Sequence, residues 1–270
     1  MNIIIFDTET LGFKSQDLLN VGYRIVDLDI FTLNYKVLCE RDMLDYKLYK
    51  AVKKLANHKG CLEDDMQNIL ANQFLPQEKL NTYEKLIANK EIERHYIKTI
   101  FEIMQEDIRK FSVVFGYAYN CKFDIDKFNK TSIKFELDNP LKSLPIFDIW
   151  AYATNHICST KEYVKWARDN EIFTQTEIYI STSVESVTKF LLQDLTFVEE
   201  HTALSDTKWE TKILVECLQR GCDITKAEKR NGFIPSGKVH HKKIVTPDGE
   251  VIEFDYTKSI SKTETEYHYE

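Results

Sequence analysis

Residues 2–10 read Asn-Ile-Ile-Ile-Phe-Asp-Thr-Glu-Thr. Ile3, Ile4, Ile5 and Phe6 form an unbroken apolar run, and such a run reads as a strand buried on both faces. Side chains alternate along a strand, so Asp7 and Glu9 point the same way. Two same-facing carboxylates at the end of a buried strand are costly unless a cation sits between them. Two readings stand on this stretch alone. Either Asp7 and Glu9 hold a divalent metal, or Asp7 opens a turn and Glu9 is solvated.

The rest of the chain supports a sheet around that strand. Leu18 to Asp29 alternates through Val21, Tyr23 and Ile25, and Phe31 to Glu40 alternates through Leu33, Tyr35 and Val37. Both read as strands, joined near Asp29-Ile30. From about 42 to 111 the period becomes helical, with faces at Leu48, Val52 and Leu55, at Met66, Ile69 and Leu70, at Leu80, Tyr83 and Leu86, and from Ile92 through Tyr96, Ile100, Met104 and Ile108 to Phe111. Gly60 and Pro76 punctuate it. Lys47, Lys50 and Lys54 share one face of the first helix, either solvated or touching phosphate. Ser112 to Tyr119 returns to strand, a helix follows over Lys122 to Lys130, and Ile146-Phe147 is a short fifth strand. Ser159-x-x-Glu162 and Thr182-x-x-Glu185 have capping-box spacing. A last helix spans Ala203 to Arg220, with Gly221 just past it. Alternating strands and helices give an α/β protein. Beyond it lie a basic stretch, Lys238 to Lys243, a hairpin signal centred on Pro247-Asp248-Gly249, and after Tyr256 a polar stretch read as a loose tail. The basic stretch is either a nucleic-acid contact or a solvated strand end.

A net charge of −7 disfavours a protein that coats nucleic acid by bulk charge. It does not disfavour an enzyme whose metals supply the local positive charge. No run approaches the roughly 18 apolar residues needed to cross a membrane. No basic-then-apolar leader is visible, so a cytoplasmic location is expected. Six scattered cysteines without C-x-x-C read as reduced thiols, and Cys217-x4-Cys222 with His240-His241 fits no common zinc spacing.

Two later stretches repeat the acidic theme. Asn120-Cys121-Lys122-Phe123-Asp124 follows a strand and opens a helix, and His201-x4-Asp206 opens another. In open α/β sheets, active sites gather at such strand ends and helix first turns. Alone, Asp124 is equally an ordinary first-turn acid, and His201 is equally an exposed histidine. Together with Asp7 and Glu9 they form an ordered set: D-x-E, then D, then H-x4-D.

That set resembles the three exonuclease motifs of the DnaQ-like, or DEDD, superfamily of 3′–5′ exonucleases, in its histidine branch. Asp7-Thr8-Glu9-Thr10 with Gly12 is similar to the first motif, Asn120 with Phe123-Asp124 to the second, and His201-x4-Asp206 to the third. The likeness covers about residues 1–220. It departs from the family pattern at Leu11, Tyr119, Cys121 and Thr207, none of which is an acid of the set. The resemblance implies an RNase H-like fold, a mixed five-stranded sheet with flanking helices. It makes residues 1–222 an exonuclease domain with a helical insertion at about 42–111, and 223–270 a C-terminal extension carrying the hairpin and tail.

It also implies an activity: hydrolysis of phosphodiester bonds in single-stranded DNA from the 3′ end, releasing nucleoside 5′-monophosphates, in proofreading, repair or nucleic-acid processing. Asp7, Glu9, Asp124 and Asp206 are then ligands of two divalent ions, Mg²⁺ or Mn²⁺, and His201 is the general base. Hard cations prefer carboxylate oxygens, and paired metals can serve the attacking and the leaving oxygen together. Histidine is the usual proton acceptor near neutral pH. Thr8, Thr10, Leu11, Gly12, Phe13, Asn120 and Phe123 are candidates to hold the terminal nucleotides, with core packing the equal reading for Phe123. Expected partners are single-stranded DNA or RNA 3′ ends and a polymerase or other replication protein, and no membrane. The same chemistry on RNA, or a non-catalytic nucleic-acid-binding protein, are the competing readings. Gln193-Asp194-Leu195-Thr196-Phe197 faintly resembles a sliding-clamp peptide but is expected to pack inward.

Overall fold

The computed structural model describes residues 1–10, 18–57, 77–245 and 251–256, and the side chains of these except at 55–57 and 240–256. Leu11, Gly12 and Phe13, the helical pattern at Met66, Ile69 and Leu70, the Pro247-Asp248-Gly249 turn and the tail after Tyr256 lie outside the described residues. The chain forms two compact units, 1–150 with 198–228, and 151–197 with 229–270.

The first unit is built on a six-stranded mixed sheet in the order β4-β3-β2-β1-β5-β6. Strand β1 (Asn2–Thr10) lies inside it, antiparallel to β2 (Leu18–Asp29) and parallel to β5 (Phe115–Ala118). That position explains the isoleucine run: a strand with neighbours on both edges and helices on both faces has no polar side to present. Ile3, Ile4, Ile5 and Phe6 are all buried. Strand β3 (Asn34–Asp45) pairs antiparallel with β2, and β6 (Ile146–Asp148) pairs parallel with β5. Only β2 runs against the other five strands.

The sixth strand is β4 (Glu93–His95), parallel to β3 at the edge. It corrects the five-strand expectation and divides the stretch read as helical. Three polar residues at a sheet edge carry no alternation, so nothing in their pattern marks a strand. Around β4 stand α1 (Tyr46–Asn57), α2 (Gln77–Ala88) and α3 (Ile97–Lys110). Helix α3 therefore starts later than the Ile92–Phe111 periodicity suggests. Ile92 is buried before β4, and Tyr96 is the exposed residue preceding the helix.

The two faces of the sheet differ. Ile4, Phe6, Val21, Tyr23, Ile25 and Met43 pack against Ile100, Phe101 and Met104 of α3 and Phe128 of α4 (Cys121–Phe135). Gly22 lies between Val21 and Tyr23, so it faces the other way. There the backbone of α8 (Ala203–Gln219) rests directly on it. A Cβ on Gly22 would fall 2.1 Å from the Leu204 nitrogen. Beyond Gly22, Leu19 and Leu44 pack with Tyr49 and Val52 of α1 and Leu80 and Tyr83 of α2.

The second unit holds a π-helical turn (Thr154–Cys158), α6 (Lys161–Asp169), α7 (Val184–Leu192) and the hairpin β7 (His240–Val245) with β8 (Val251–Tyr256). Helix α5 (Ile149–Ala153) leads into it. Tyr163, Trp166 and Phe190 form an aromatic cluster in which Phe190 meets both other rings edge-to-face. The observed caps are Thr160 and Ser183, whose hydroxyls accept the Tyr163 and Ser186 N–H groups. Both caps sit one residue beyond the expected Ser159 and Thr182, because adjacent hydroxyls make the register ambiguous in sequence. Gln193–Phe197 is a surface turn rather than an inward segment, with Leu195 49 % exposed. Lys238 pairs with Glu171 and Glu177. No helix among the described residues is long and apolar enough to cross a membrane.

Candidate metal centre

Three elements end at one place. β1 delivers Asp7 and Glu9, the first turn of α4 delivers Asp124, and the first turn of α8 delivers Asp206. Asp7, Glu9 and Asp206 each offer an oxygen within 4.8 Å of the others. Asp124 joins them through β1: its Oδ1 accepts the Thr8 hydroxyl at 2.6 Å and the Thr8 N–H at 3.1 Å. The alternation that aims Asp7 and Glu9 together aims Thr8 the other way.

The first two turns of α8 bury a polar stripe: Ser205, Asp206, Thr207, Glu210 and Thr211. Glu210, one turn beyond Asp206, is a fifth acid of the cluster. Its Oε1 accepts the Tyr119 N–H at 3.3 Å. Its Oε2, like Oδ1 of Asp206, is buried with no hydrogen-bond partner. The i, i+4 spacing from Asp206 was the available sequence signal for it.

Burial and mutual repulsion push these carboxyls up. Burial is the largest cause throughout. Asp7 stands well above the ordinary carboxyl value, with Asp124, Glu210, Asp206 and Glu9 adding to the shift. Asp124 is pushed up to about 7, held from rising further by the Thr8 bonds. Asp206 is pushed up to about 9, with Glu199 and Glu9 contributing. Glu210 is raised well above its usual range, with Asp124 and Asp206 the main acidic neighbours.

Among the described residues, one ammonium is paired with an acid of the cluster. Lys79 of α2 places Nζ 2.6 Å from Glu9 Oε2. Five acids against that one ammonium leave a strong demand for positive charge. Hard carboxylate oxygens, two of them buried and unpartnered, are the donor set a hard divalent ion takes. The residues present therefore fit such ions.

The cluster is held from beneath by Asn20, a buried residue of β2. Its Oδ1 accepts the Ala203 N–H at 3.2 Å and the Tyr83 hydroxyl at 3.4 Å. Its Nδ2 donates to Asp42 Oδ1 at 2.6 Å and to the Met43 carbonyl at 3.1 Å. One amide thus ties together the sheet, α2 and the start of α8.

His201 is not brought into contact with the four acids. It lies just before α8 with a left-handed backbone, φ +53°. Its side chain is 62 % exposed, with Nδ1 3.7 Å from a Glu199 oxygen. Among the nucleotide candidates, Thr8 is spent on Asp124 and Thr10 stands half-buried at the end of β1. Asn120 is exposed and left-handed, and its N–H donates to Asp148. Phe123 is half-buried under the ammonium of Lys127, 4.9 Å from the ring centre. Lys79 and Asn20 carried no local signal in the sequence, because their partners lie 70 and 183 residues away. The chain matches no protein-family model and no curated protein.

Proposed function

We propose that this chain is a metal-dependent 3′–5′ exonuclease of the DnaQ-like, DEDD type, acting on single-stranded nucleic acid. The observation that carries the reading is the convergence of Asp7, Glu9 and Asp206 within 4.8 Å, beside Asp124, with buried carboxylate oxygens left unpartnered. Ordinary structural acids are solvated or paired. A mixed sheet flanked by helices supports an RNase H-like core, with β4 as an added edge strand. Cys39, Cys121, Cys158, Cys217 and Cys222 carry no disulfide, in keeping with a cytoplasmic setting.

In this reading Asp7, Glu9, Asp124 and Asp206 hold Mg²⁺ or Mn²⁺. The ions supply the positive charge that readies a water for attack and offsets the charge on the departing oxygen. The chain does the rest. β1 fixes Asp7 and Glu9 on a strand buried on both faces, and Thr8 locks Asp124 against it. His201, exposed just before α8, is the imidazole that would take a proton from the attacking water. Its exposure leaves it free to turn inward once a 3′ end is seated. Thr10, next to Glu9 in sequence, and Phe123, next to Asp124, are the candidates to receive the terminal nucleotide.

End-labelled single-stranded DNA and RNA, each incubated with Mg²⁺ and with EDTA, test this reading. The expected result is Mg²⁺-dependent release of mononucleotides from the 3′ end, lost in Asp7→Ala and Asp206→Asn. Which polymer is cut faster selects between DNA and RNA as substrate. Binding of both without cutting points to the non-catalytic alternative.

A further inference from the structure

We infer that Lys79, on a helix of the inserted segment, is a substrate-positioning residue: its ammonium grips a backbone phosphate near the scissile bond. The inference rests on the nuclease reading and extends it to a residue outside the acidic motifs.

Three observations and one charge argument carry it. First, Lys79 Nζ lies 2.6 Å from Glu9 Oε2, so the ammonium already stands at the edge of the acidic cluster. Second, neither group is a free surface charge. The two side chains are 22 % and 18 % exposed. Third, the helix that carries Lys79 is anchored. Its next residue, Leu80, is buried, as is Tyr83 one turn on, and both belong to the apolar cluster with Leu19, Leu44 and Val52. Tyr83 also donates to Asn20, the residue that holds the start of α8. The backbone of α2 is therefore placed from the same amide that places Asp206. A lysine stem on such a helix is flexible but starts from a fixed origin. Fourth, the charges change sign in consequence when metal is held. Without it, Lys79 offsets one of five acids. Were divalent ions to satisfy the carboxylates, Glu9 would no longer need the ammonium, and like charge would favour its turning outward. The nearest anion left for it is the phosphate of the bound strand. Lysine suits that contact as a compact point charge on a flexible stem.

This also gives the inserted segment a purpose. The acids, Thr8 and Asn120 all come from the sheet, α4 and α8, and none of them is a cation. Lys79 is the cation that the insertion brings to the cluster.

The test uses the full chain with Ca²⁺ replacing Mg²⁺, so that a labelled single-stranded oligonucleotide binds without being consumed. Lys79→Met is expected to weaken that binding about tenfold and to lower the salt slope by about one. Lys79→Arg is expected to recover most of it. Mn²⁺ binding, measured without oligonucleotide, is expected to hold or tighten in Lys79→Met, because a competitor for Glu9 is gone. Unchanged oligonucleotide affinity in Lys79→Met would overturn the inference and leave the nuclease reading intact. So would a parallel loss of Mn²⁺ affinity, which would make Lys79 a support for the acids. A wild-type chain that binds no oligonucleotide in Ca²⁺ would overturn both.

Discussion

Asn20 Oδ1 accepts the Ala203 N–H at 3.2 Å, joining β2 to the first residue of α8 across 183 positions of sequence. Nothing else in that bond is exposed to water: Asn20 and Ala203 are both fully buried. The same amide holds Asp42 and the Met43 carbonyl on its nitrogen side. Asn20→Ala strands a buried N–H and a buried carboxylate together. The expected cost is about 2–4 kcal/mol, summing two unmet groups, read from urea denaturation midpoints. Mn²⁺ affinity should fall with it, since α8 carries Asp206. Full stability in Asn20→Ala would show that the bond is replaceable.

Gly22 makes a second, purely steric claim on α8. Its Cβ position is taken by the backbone of Ala203 and Leu204. Gly22→Ala cannot be absorbed by a side-chain rotation, because the obstacle is main chain. Overpacking of this kind costs about 1–3 kcal/mol. At about 2–4 °C per kcal/mol for a chain of this size, thermal unfolding should report it, together with weaker Mn²⁺ binding. Gly116 offers the contrast. A Cβ there meets side-chain atoms at 3.3 Å or more, so Gly116→Ala should cost less.

The acidic cluster sets a pH dependence for the metal-free chain. Asp124 and Asp206 stand at about 7 and about 9 against an ordinary value of 3.8. A folded-state value above the unfolded one means that the native chain binds more protons. Stability is then fullest below about pH 4 from these groups and is lost as pH rises through 7 and 9. In EDTA, melting temperature should fall from pH 5 to pH 9, and Mn²⁺ should remove the fall. Asp206→Asn should raise the melting temperature at pH 8 in EDTA and flatten the slope. Glu210→Gln should act in the same direction, because Glu210 adds to the repulsion on Asp7. A melting temperature that climbs over this range would contradict the cluster's electrostatics.

On the proposed nuclease reading, His201 separates binding from chemistry. It touches none of the four acids and is largely exposed. His201→Ala should leave Mn²⁺ affinity within about twofold and lower turnover about 10²–10⁴-fold, the usual worth of a general base. Isothermal titration and a single-turnover digest measure the two arms. Equal losses in both would make His201 part of the metal site, and unchanged turnover would remove it from the reaction.

β1, β2 and most of β3 were legible because they are long or wholly apolar, although β3 begins at Asn34 after a turn rather than at Phe31 and runs on to Asp45, into the stretch read as helical. The bounds of β2, Leu18–Asp29, follow directly from alternation. The triple isoleucine marked β1 as interior before any partner strand was known. What escaped was short or depended on distant partners. Glu93–His95 has no pattern to read, and Ile92 and Tyr96 mimic a helix face because they are four residues apart. At the centre, Asp7, Glu9, Asp124 and Asp206 were readable as an ordered set. Glu210 was readable only as a polar residue on an otherwise packed helix. Lys79 could not be found, since a lysine beside a leucine on an amphipathic helix looks like any solvated lysine.

The first unit is discontinuous: it comprises residues 1–150 and then 198–228, with 47 residues of the other unit between. Its acids come from positions 7 to 210, and α8 can dock on Gly22 only after that intervening stretch has been made. A growing chain thus leaves that face of the sheet and its carboxylates uncovered until α8 is made. The acidic cluster is therefore assembled only once α8, near the end of the first unit, has been made. The same topology denies the centre any local autonomy. Mn²⁺ binding in increasing urea should vanish together with the helix signal, without an earlier loss confined to the site.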